Sequence, residues 1–292
     1  MELIPLHPLF AIEIRDFHLC RDHHDSELEN IKEAFRRYSV LVFRDQNIED
    51  SCQIRFSKRL GPLETTKLGT DGAGTKLVRV TNMDSGGRIL RQSSRALLNN
   101  KANQIWHSDS SFKRIPARAS VLRAVVIPPE RGETEYVSQR AVYQSLSLDL
   151  KQKIGRMWGI HDYSHSRARI DSELVTEDEK RVLPPVRQPM VINHGPYGKS
   201  LYIGAHLSKI EGMGQEEGSG LIQQLMKLPD KKKFIYRHRW KVHDVVLWDN
   251  LSVMHRATPF ENQNSGRTMV RTTISCKEKL NLNSVFGTHE DL

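Results

Sequence analysis

The chain has 292 residues, of which 38% are hydrophobic, 27% charged and 7% aromatic, enough for a core and too apolar for a disordered chain. Lys+Arg 44 against Asp+Glu 35 gives a net charge of +9, but the basic residues are scattered, whereas a nucleic-acid footprint would gather them on one face. No apolar run is long enough to span a bilayer, the opening MELIPLHPLF has no basic-then-apolar leader, and three cysteines without a CxxC exclude a disulfide scaffold and suit a reducing compartment.

Ser26 to Tyr38 reads as a helix: Ser26 and Glu29 form a capping box, and Leu28, Ile31, Phe35 and Tyr38 recur at helical spacing. The apolar run Ser39 to Phe43 predicts a strand buried on both faces. A second helix over about Asp50 to Leu60 is stopped by Gly61-Pro62. Residues 66–75 are loop, Lys76 to Thr81 alternates like a strand, and residues 83–102, polar and basic with Gly86-Gly87, read as a mobile connection. Further strands are predicted at Ile105–Ser110, Ala119–Ile127, Thr134–Val137, Val186–Asn193, Leu201–Ile203, Phe234–Trp240, Val245–Trp248 and Met269–Cys276. Helical inserts fall at about 139–156 and 215–228, Gly195-Pro-Tyr-Gly198 reads as a hairpin turn, and His289 to Leu292 as a frayed tail. The pattern predicts a mainly β fold with inserted helices, a single domain over residues 1–292 with a jelly-roll core.

The chemistry centres on His107-Ser108-Asp109. On a strand, His107 and Asp109 share a face and can both reach one metal. One more histidine completes a two-His-one-carboxylate facial triad, which leaves positions open on Fe(II). His23-His24-Asp25 carries the same spacing but precedes a capped helix and is a polar turn. His255 follows the strand-ending Trp248-Asp249-Asn250. Beyond it, Arg267 and Arg271 lie four apart on a strand, where two guanidiniums on one face suit carboxylate binding, although a solvated face has the same spacing.

These segments resemble the taurine / 2,4-dichlorophenoxyacetate dioxygenase family of Fe(II)- and 2-oxoglutarate-dependent oxygenases. The likeness runs from Leu6-His-Pro-Leu-Phe10 to about Ser275 and is strongest in Asn103-Gln-Ile-Trp-His-Ser-Asp-Ser-Ser-Phe112, Leu201-Tyr-Ile-Gly-Ala-His206 and Trp248-Asp-Asn-x4-His255. The aryloxyacetate branch is the nearest in pattern. The resemblance implies a double-stranded β-helix in which His107, Asp109 and His255 hold iron. It implies that Thr134 and Arg267 take the distal carboxylate of 2-oxoglutarate. Asn103, Arg271, His206 and Arg88 would lie on the substrate side, with His194 a weaker candidate. Two departures concern the loops: the family's Gly-Gly before the threonine is Arg131-Gly132, and Lys67 is misplaced in the altered segment 64–75.

The expected reaction consumes O₂ and 2-oxoglutarate and releases succinate and CO₂ while a small organic acid is hydroxylated, desaturated or cyclised. An amino acid or sulfonate is the alternative substrate. A nucleic-acid oxygenase and a non-catalytic jelly-roll binder are the other classes. A cytoplasmic homo-oligomer, dimer or tetramer, completes the expectation.

Overall fold

The computed structural model describes residues 1–66, 72–91, 93–261 and 264–286; Lys67 and the tail His289 to Leu292 lie outside them. The chain opens with β1 (Glu2–Pro5), β2 (Ile12–Arg15), α1 (Asp25–Tyr38), β3 (Val40–Phe43), α2 (Asp50–Leu60), β4 (Val78–Thr81) and α3 (Arg95–Ala102). There follow β5 (Ala117–Val126), β6 (Thr134–Ser138), α4 (Gln139–Gln144), α5 (Leu148–Ile154), β7 (Trp158–His161), α6 (Tyr163–Ala168) and α7 (Glu177–Val182). The rest is β8 (Val186–Pro189), β9 (Val191–Asn193), β10 (Lys199–Leu201), β11 (Leu207–Ile210), α8 (Gln215–Met226), β12 (Ile235–His238), β13 (Val245–Asp249), β14 (Val253–Ala257) and β15 (Thr268–Ser275).

The large sheet runs β1-β2-β3-β13-β5-β15-β4, and a three-stranded sheet β12-β6-β14 supplies the second layer of the core. Strand β3 explains why its run is wholly apolar. Leu41 and Phe43 pack with Ile31 and Phe35 of α1 and Phe56 of α2, whereas Val40 and Val42 pack with Tyr136, Tyr236 and Trp248 between the layers. Helix α2 is fastened to the sheet through polar contacts as well: Gln53 Nε2 donates to the carbonyls of Val121 and Val270, at 3.0 and 3.1 Å. Smaller sheets, β11-β7-β8 and β10-β9, extend the second layer, with α4, α5 and α8 packed against it through Val142, Ile154, Leu221 and Leu225.

Several expectations need correction. The first helix is capped two residues earlier, by His24, whose backbone N–H donates to Glu27 at 3.0 Å, so Ser26 with Glu29 is not the capping box. Residues 83–102 are no mere connection: Ser94 caps α3 by accepting from the Leu97 N–H, and Leu97 and Ala102 are buried. The insert at 139–156 is two helices broken at Ser145 to Ser147, and Val186–Asn193 is two strands. Ile105–Ser110 is not a continuous strand. His107 alone pairs, then Ser110 takes a left-handed backbone (φ 51°) and turns the chain. Cys20 and Cys52 form a disulfide with Cα atoms 5.5 Å apart, contrary to the expectation of reduced thiols; Cys276 is free and buried. The two cysteines are 32 residues apart in sequence and meet only because α2 docks beside the loop after β2. No helix among the described residues is long and apolar enough to cross a membrane.

Candidate active site

His107 and His255 face each other across a two-bond antiparallel pair, N–H to carbonyl at 3.1 and 2.8 Å, which extends the β12-β6-β14 sheet by one residue. That register brings their rings to 4.2 Å between centroids. A second approach holds the pair in place. The chain at Gly204 crosses so close that a Cβ there would meet His107 Cα at 3.3 Å, in a backbone (φ 153°) that L side chains rarely adopt.

Asp109 enters from the turn that follows. Its Oδ1 lies 3.9 Å from His107 Nε2 and its Oδ2 lies 3.8 Å from His255 Nε2. One ligand atom from each of the three residues fits within 4.8 Å, and all three residues are buried. The orientation is fixed from behind. Ser120 donates to Asp109 Oδ2 at 2.7 Å, and Asn250 Oδ1 accepts the Asp109 backbone N–H at 3.1 Å. His107 Nδ1 lies 2.8 Å from the Ile105 carbonyl, which can only accept, so the proton sits on Nδ1 and Nε2 keeps its lone pair.

Charge states agree with metal ligation. Burial holds both imidazoles below their ordinary pKa, so they are neutral. Burial alone would raise the Asp109 pKa, but the Arg271 guanidinium and the Ser120 hydrogen bond outweigh it and hold the carboxyl below its usual range. Two neutral imidazoles and one carboxylate on a single side are the donor set of a non-haem Fe(II) site with open positions.

A cavity of about 270 Å³ opens in front of these groups. His107, Asp109, Asn103, His206 and Arg271 line it, and Val78, Val80, Leu90, Phe112 and Tyr163 form an apolar wall. A smaller cavity of about 50 Å³, lined by Arg267, Asn82, Thr258 and Phe260, adjoins it through shared residues Val80, Thr81, Asn100 and Asn103. The two arginines therefore open on adjoining cavities and not on one, and their electrostatics differ. Arg271 Nη1 donates to Asp109 Oδ1 at 2.5 Å, so it is not the unpaired cation that its spacing suggested. Arg267 is buried, its Nε donates to the Gly132 carbonyl at 3.2 Å, and no carboxylate among the described residues pairs with it. Burial lowers its pKa to about 10. A buried guanidinium without an anion is costly, so this cavity fits the distal carboxylate of 2-oxoglutarate. Thr134 lies on β6 two residues beyond Gly132, and its Oγ1 accepts from Trp240 Nε1 at 3.0 Å.

The remaining sequence candidates separate. His206 is buried in the cavity wall, its Nδ1 lies 3.1 Å from Ser111 Oγ, and its Nε2 has no partner among the described residues. Arg88 is outside: its side chain is 85% exposed and paired with Asp84. The Gly86-Gly87 turn carries it to solvent, so it is not a substrate contact in this geometry. His194 is also elsewhere, buried 2.8 Å from Ser200 Oγ behind the Asp249 pairs with Arg118 and Arg140. His23 stacks on Phe17 at 3.8 Å, as a turn residue should.

Sequence reasoning missed Arg167. It lies on α6, its guanidinium 4.8 Å over the Tyr163 ring, and it lines the large cavity with no ion pair among the described residues. Its Nε is buried without a hydrogen-bond partner, and its charge lowers the pKa of both His107 and His206. Six-residue α6 has too little periodicity to be seen, so nothing in the local pattern singled out this arginine.

The chain is similar to known proteins in sequence and in fold. The family model for taurine catabolism dioxygenase TauD, TfdA family, matches residues 2–273. The chain is 37% identical over 263 residues to the alpha-ketoglutarate-dependent 2,4-dichlorophenoxyacetate dioxygenase of Cupriavidus pinatubonensis, covering 88% of this chain and 92% of that one. It is 29% identical to the alpha-ketoglutarate-dependent sulfate ester dioxygenase of Pseudomonas putida, covering 87% and 84%. The crystal structure of AAD-2 in complex with Mn(II) and N-oxalylglycine superposes with a TM-score of 0.87 at 34% identity, covering 95% of this chain and 99% of that one. The layered sheets are thus the jelly-roll core of these enzymes, and the chain belongs to the TauD/TfdA family of Fe(II)- and 2-oxoglutarate-dependent dioxygenases.

Proposed function

We propose that this dioxygenase oxidises a small organic anion with an apolar body, the carboxylate held by Arg271 and Arg167 and the body lying on Val78, Val80, Leu90, Phe112 and Tyr163. The observation that carries this reading is Arg167, a cavity cation with no carboxylate of its own among the described residues, in the same cavity as these apolar side chains. A guanidinium in a half-closed site gains most from a planar anion it can bind in bidentate fashion. The relatives named for 2,4-dichlorophenoxyacetate and for a sulfate ester support the choice of anion.

In this reading His107, Asp109 and His255 hold the iron, and Arg267 with Thr134 holds 2-oxoglutarate by its distal carboxylate. Iron, 2-oxoglutarate and O₂ supply the oxidising power and yield succinate and CO₂. The chain's own contribution is placement. Arg271 and Ser120 keep Asp109 ionised and oriented, Asn103 sits where both cavities meet, and the apolar wall excludes water. The whole chain would act as one catalytic unit, as a dimer or tetramer.

A succinate-release screen of aryloxyacetates, sulfate esters, sulfonates and amino acids with the Fe(II)-loaded protein tests the proposal. Coupled turnover of an acid with an aromatic or alkyl body is the expected result. Turnover only with neutral or cationic compounds would overturn it.

A further inference from the structure

Behind the metal site, four rings stand in one row across paired strands. His107 pairs with His255, His255 with Tyr136, and Tyr136 with Tyr236, each directly opposite the next in register. Ring centroids step from His107 to His255 (4.2 Å), to Tyr136 (6.1 Å) and to Tyr236 (6.3 Å). From the facing sheet Trp248 packs on both His255 (4.6 Å) and Tyr136 (5.5 Å). Aromatic rows across a sheet are ordinary packing. What sets this one apart is where its protons can go.

The Tyr136 hydroxyl is buried with no hydrogen-bond partner among the described residues, and Trp248 Nε1 donates to the Asn250 amide oxygen, which is no base. Neither ring can shed a proton when it loses an electron. Tyr236 can. Its hydroxyl lies 2.9 Å from His238 Nδ1, and His238 Nε2 lies 3.2 Å from Asp244 Oδ2. The Asp244 carboxylate also accepts from Arg44 and from the Lys241 N–H, so it is ionised and takes the Nε2–H. That leaves Nδ1 as an acceptor for the phenol proton. Beyond His238, Trp240 lies 4.4 Å away and is 9% exposed, at the end nearest solvent.

We propose that Tyr136, Tyr236 and His238 form a relay that drains oxidising equivalents from the metal site when O₂ reacts with the Fe(II)–2-oxoglutarate complex and no organic substrate is present. Two oxidising equivalents are left at the site once 2-oxoglutarate has become succinate and CO₂. For each of them, one electron passes from the Tyr236 phenol, by way of Tyr136 and Trp248, to the metal site, and with a proton from solvent each reduces the remaining oxygen atom towards water. The phenol proton moves to His238 Nδ1, leaving a neutral phenoxyl radical on Tyr236. A small one-electron reductant such as ascorbate returns the electron from solvent, and the proton comes back from His238. The proposal rests on reading His107, Asp109 and His255 as the iron site.

The test is freeze-quench electron paramagnetic resonance of the Fe(II)- and 2-oxoglutarate-loaded protein mixed with O₂ without substrate. A tyrosyl signal is expected in the parent chain, removed by ascorbate and lost in Tyr236→Phe, with more oxidised side chains in metal-pocket peptides of the variant by mass spectrometry. His238→Leu, which leaves the phenol but removes its base, should also lose the signal and serves if Tyr236→Phe does not fold. A parent chain that shows the Fe(II)–2-oxoglutarate absorption band but no aromatic radical overturns the relay alone. So does an unchanged signal with unchanged peptide oxidation in both variants. Absence of that band takes down the iron reading and the relay together.

Discussion

Two sides of the site are built in different ways. The wall that carries His255, Thr134 and Arg267, behind the metal ligands and the smaller cavity, is sheet or sheet edge, and its side chains are aimed by register: His255 opposite Tyr136, Thr134 opposite His238, Arg267 one residue before β15. The wall that carries Arg167, Tyr163, Leu90 and Phe112 is loop and short helix, and its side chains are aimed by local caps such as Asp162, which accepts the Ser164 N–H at 2.8 Å. Sheet register is set by many cooperating bonds and cannot shift by one residue without turning every side chain over. Loops can change residue by residue. Substitutions in the loop wall can therefore alter one contact at a time, whereas a shift in the ladder would disturb the whole site.

The largest effect should come from the ladder wall. Asp109→Ala, or His255→Ala, removes one of three ligand atoms and should reduce succinate release to background with the circular dichroism spectrum unchanged, while His23→Ala keeps full activity. Retained turnover in His255→Ala would place the metal elsewhere. Next is Arg267→Ala. Loss of a charge-assisted bidentate contact is worth about 1.5–3 kcal/mol, so KM for 2-oxoglutarate should rise roughly ten- to a hundredfold. An unchanged KM would detach Arg267 from the co-substrate.

The loop wall should respond in a different parameter. Arg167→Gln keeps a polar group but loses the charge, and KM for the organic acid should rise about tenfold, the loss of roughly 1.4 kcal/mol, while KM for 2-oxoglutarate stays put. If both KM values moved together, Arg167 would be supporting the whole site and not the substrate. Steady-state kinetics varying each substrate in turn separates the two.

How much of this was legible in the sequence follows the same division. His107-Ser-Asp109, His255 and Arg267 sit in or beside strands with strong apolar patterns, so their elements could be read from the pattern, while the roles proposed for them came from the family resemblance. Even there the backbone differed, because Asp109 joins the two histidines from a turn after a single paired residue. The pairing of Arg271 with Asp109 was hidden, since it joins residues 162 apart. Arg167 was invisible for a related reason: α6 is one short turn-and-a-half whose place against His206 comes from β7 and β11 pairing far along the chain. Arg88 erred in the other direction, because a family position carried over onto a loop says nothing about where that loop goes.

The smallest effect belongs to the seam between the walls. Where the family usually has Gly-Gly, this chain has Arg131-Gly132, and Arg131 is held at φ 61° with its side chain exposed. A non-glycine residue in the left-handed region costs about 1–2 kcal/mol. Replacing it by glycine removes that strain but adds about 0.5–1 kcal/mol of chain entropy to be lost on folding. Arg131→Gly should therefore stabilise by roughly 0.5 kcal/mol, a rise in Tm of about 1 °C for a chain of this size. The Gly132 carbonyl that accepts from Arg267 Nε is backbone and stays in place, so KM for 2-oxoglutarate should not change. Differential scanning calorimetry and a 2-oxoglutarate titration measure the two sides. A lower Tm would show that the Arg131 side chain contributes more than its backbone strain takes away. A changed KM would show that the strained turn itself aims the Gly132 carbonyl at Arg267.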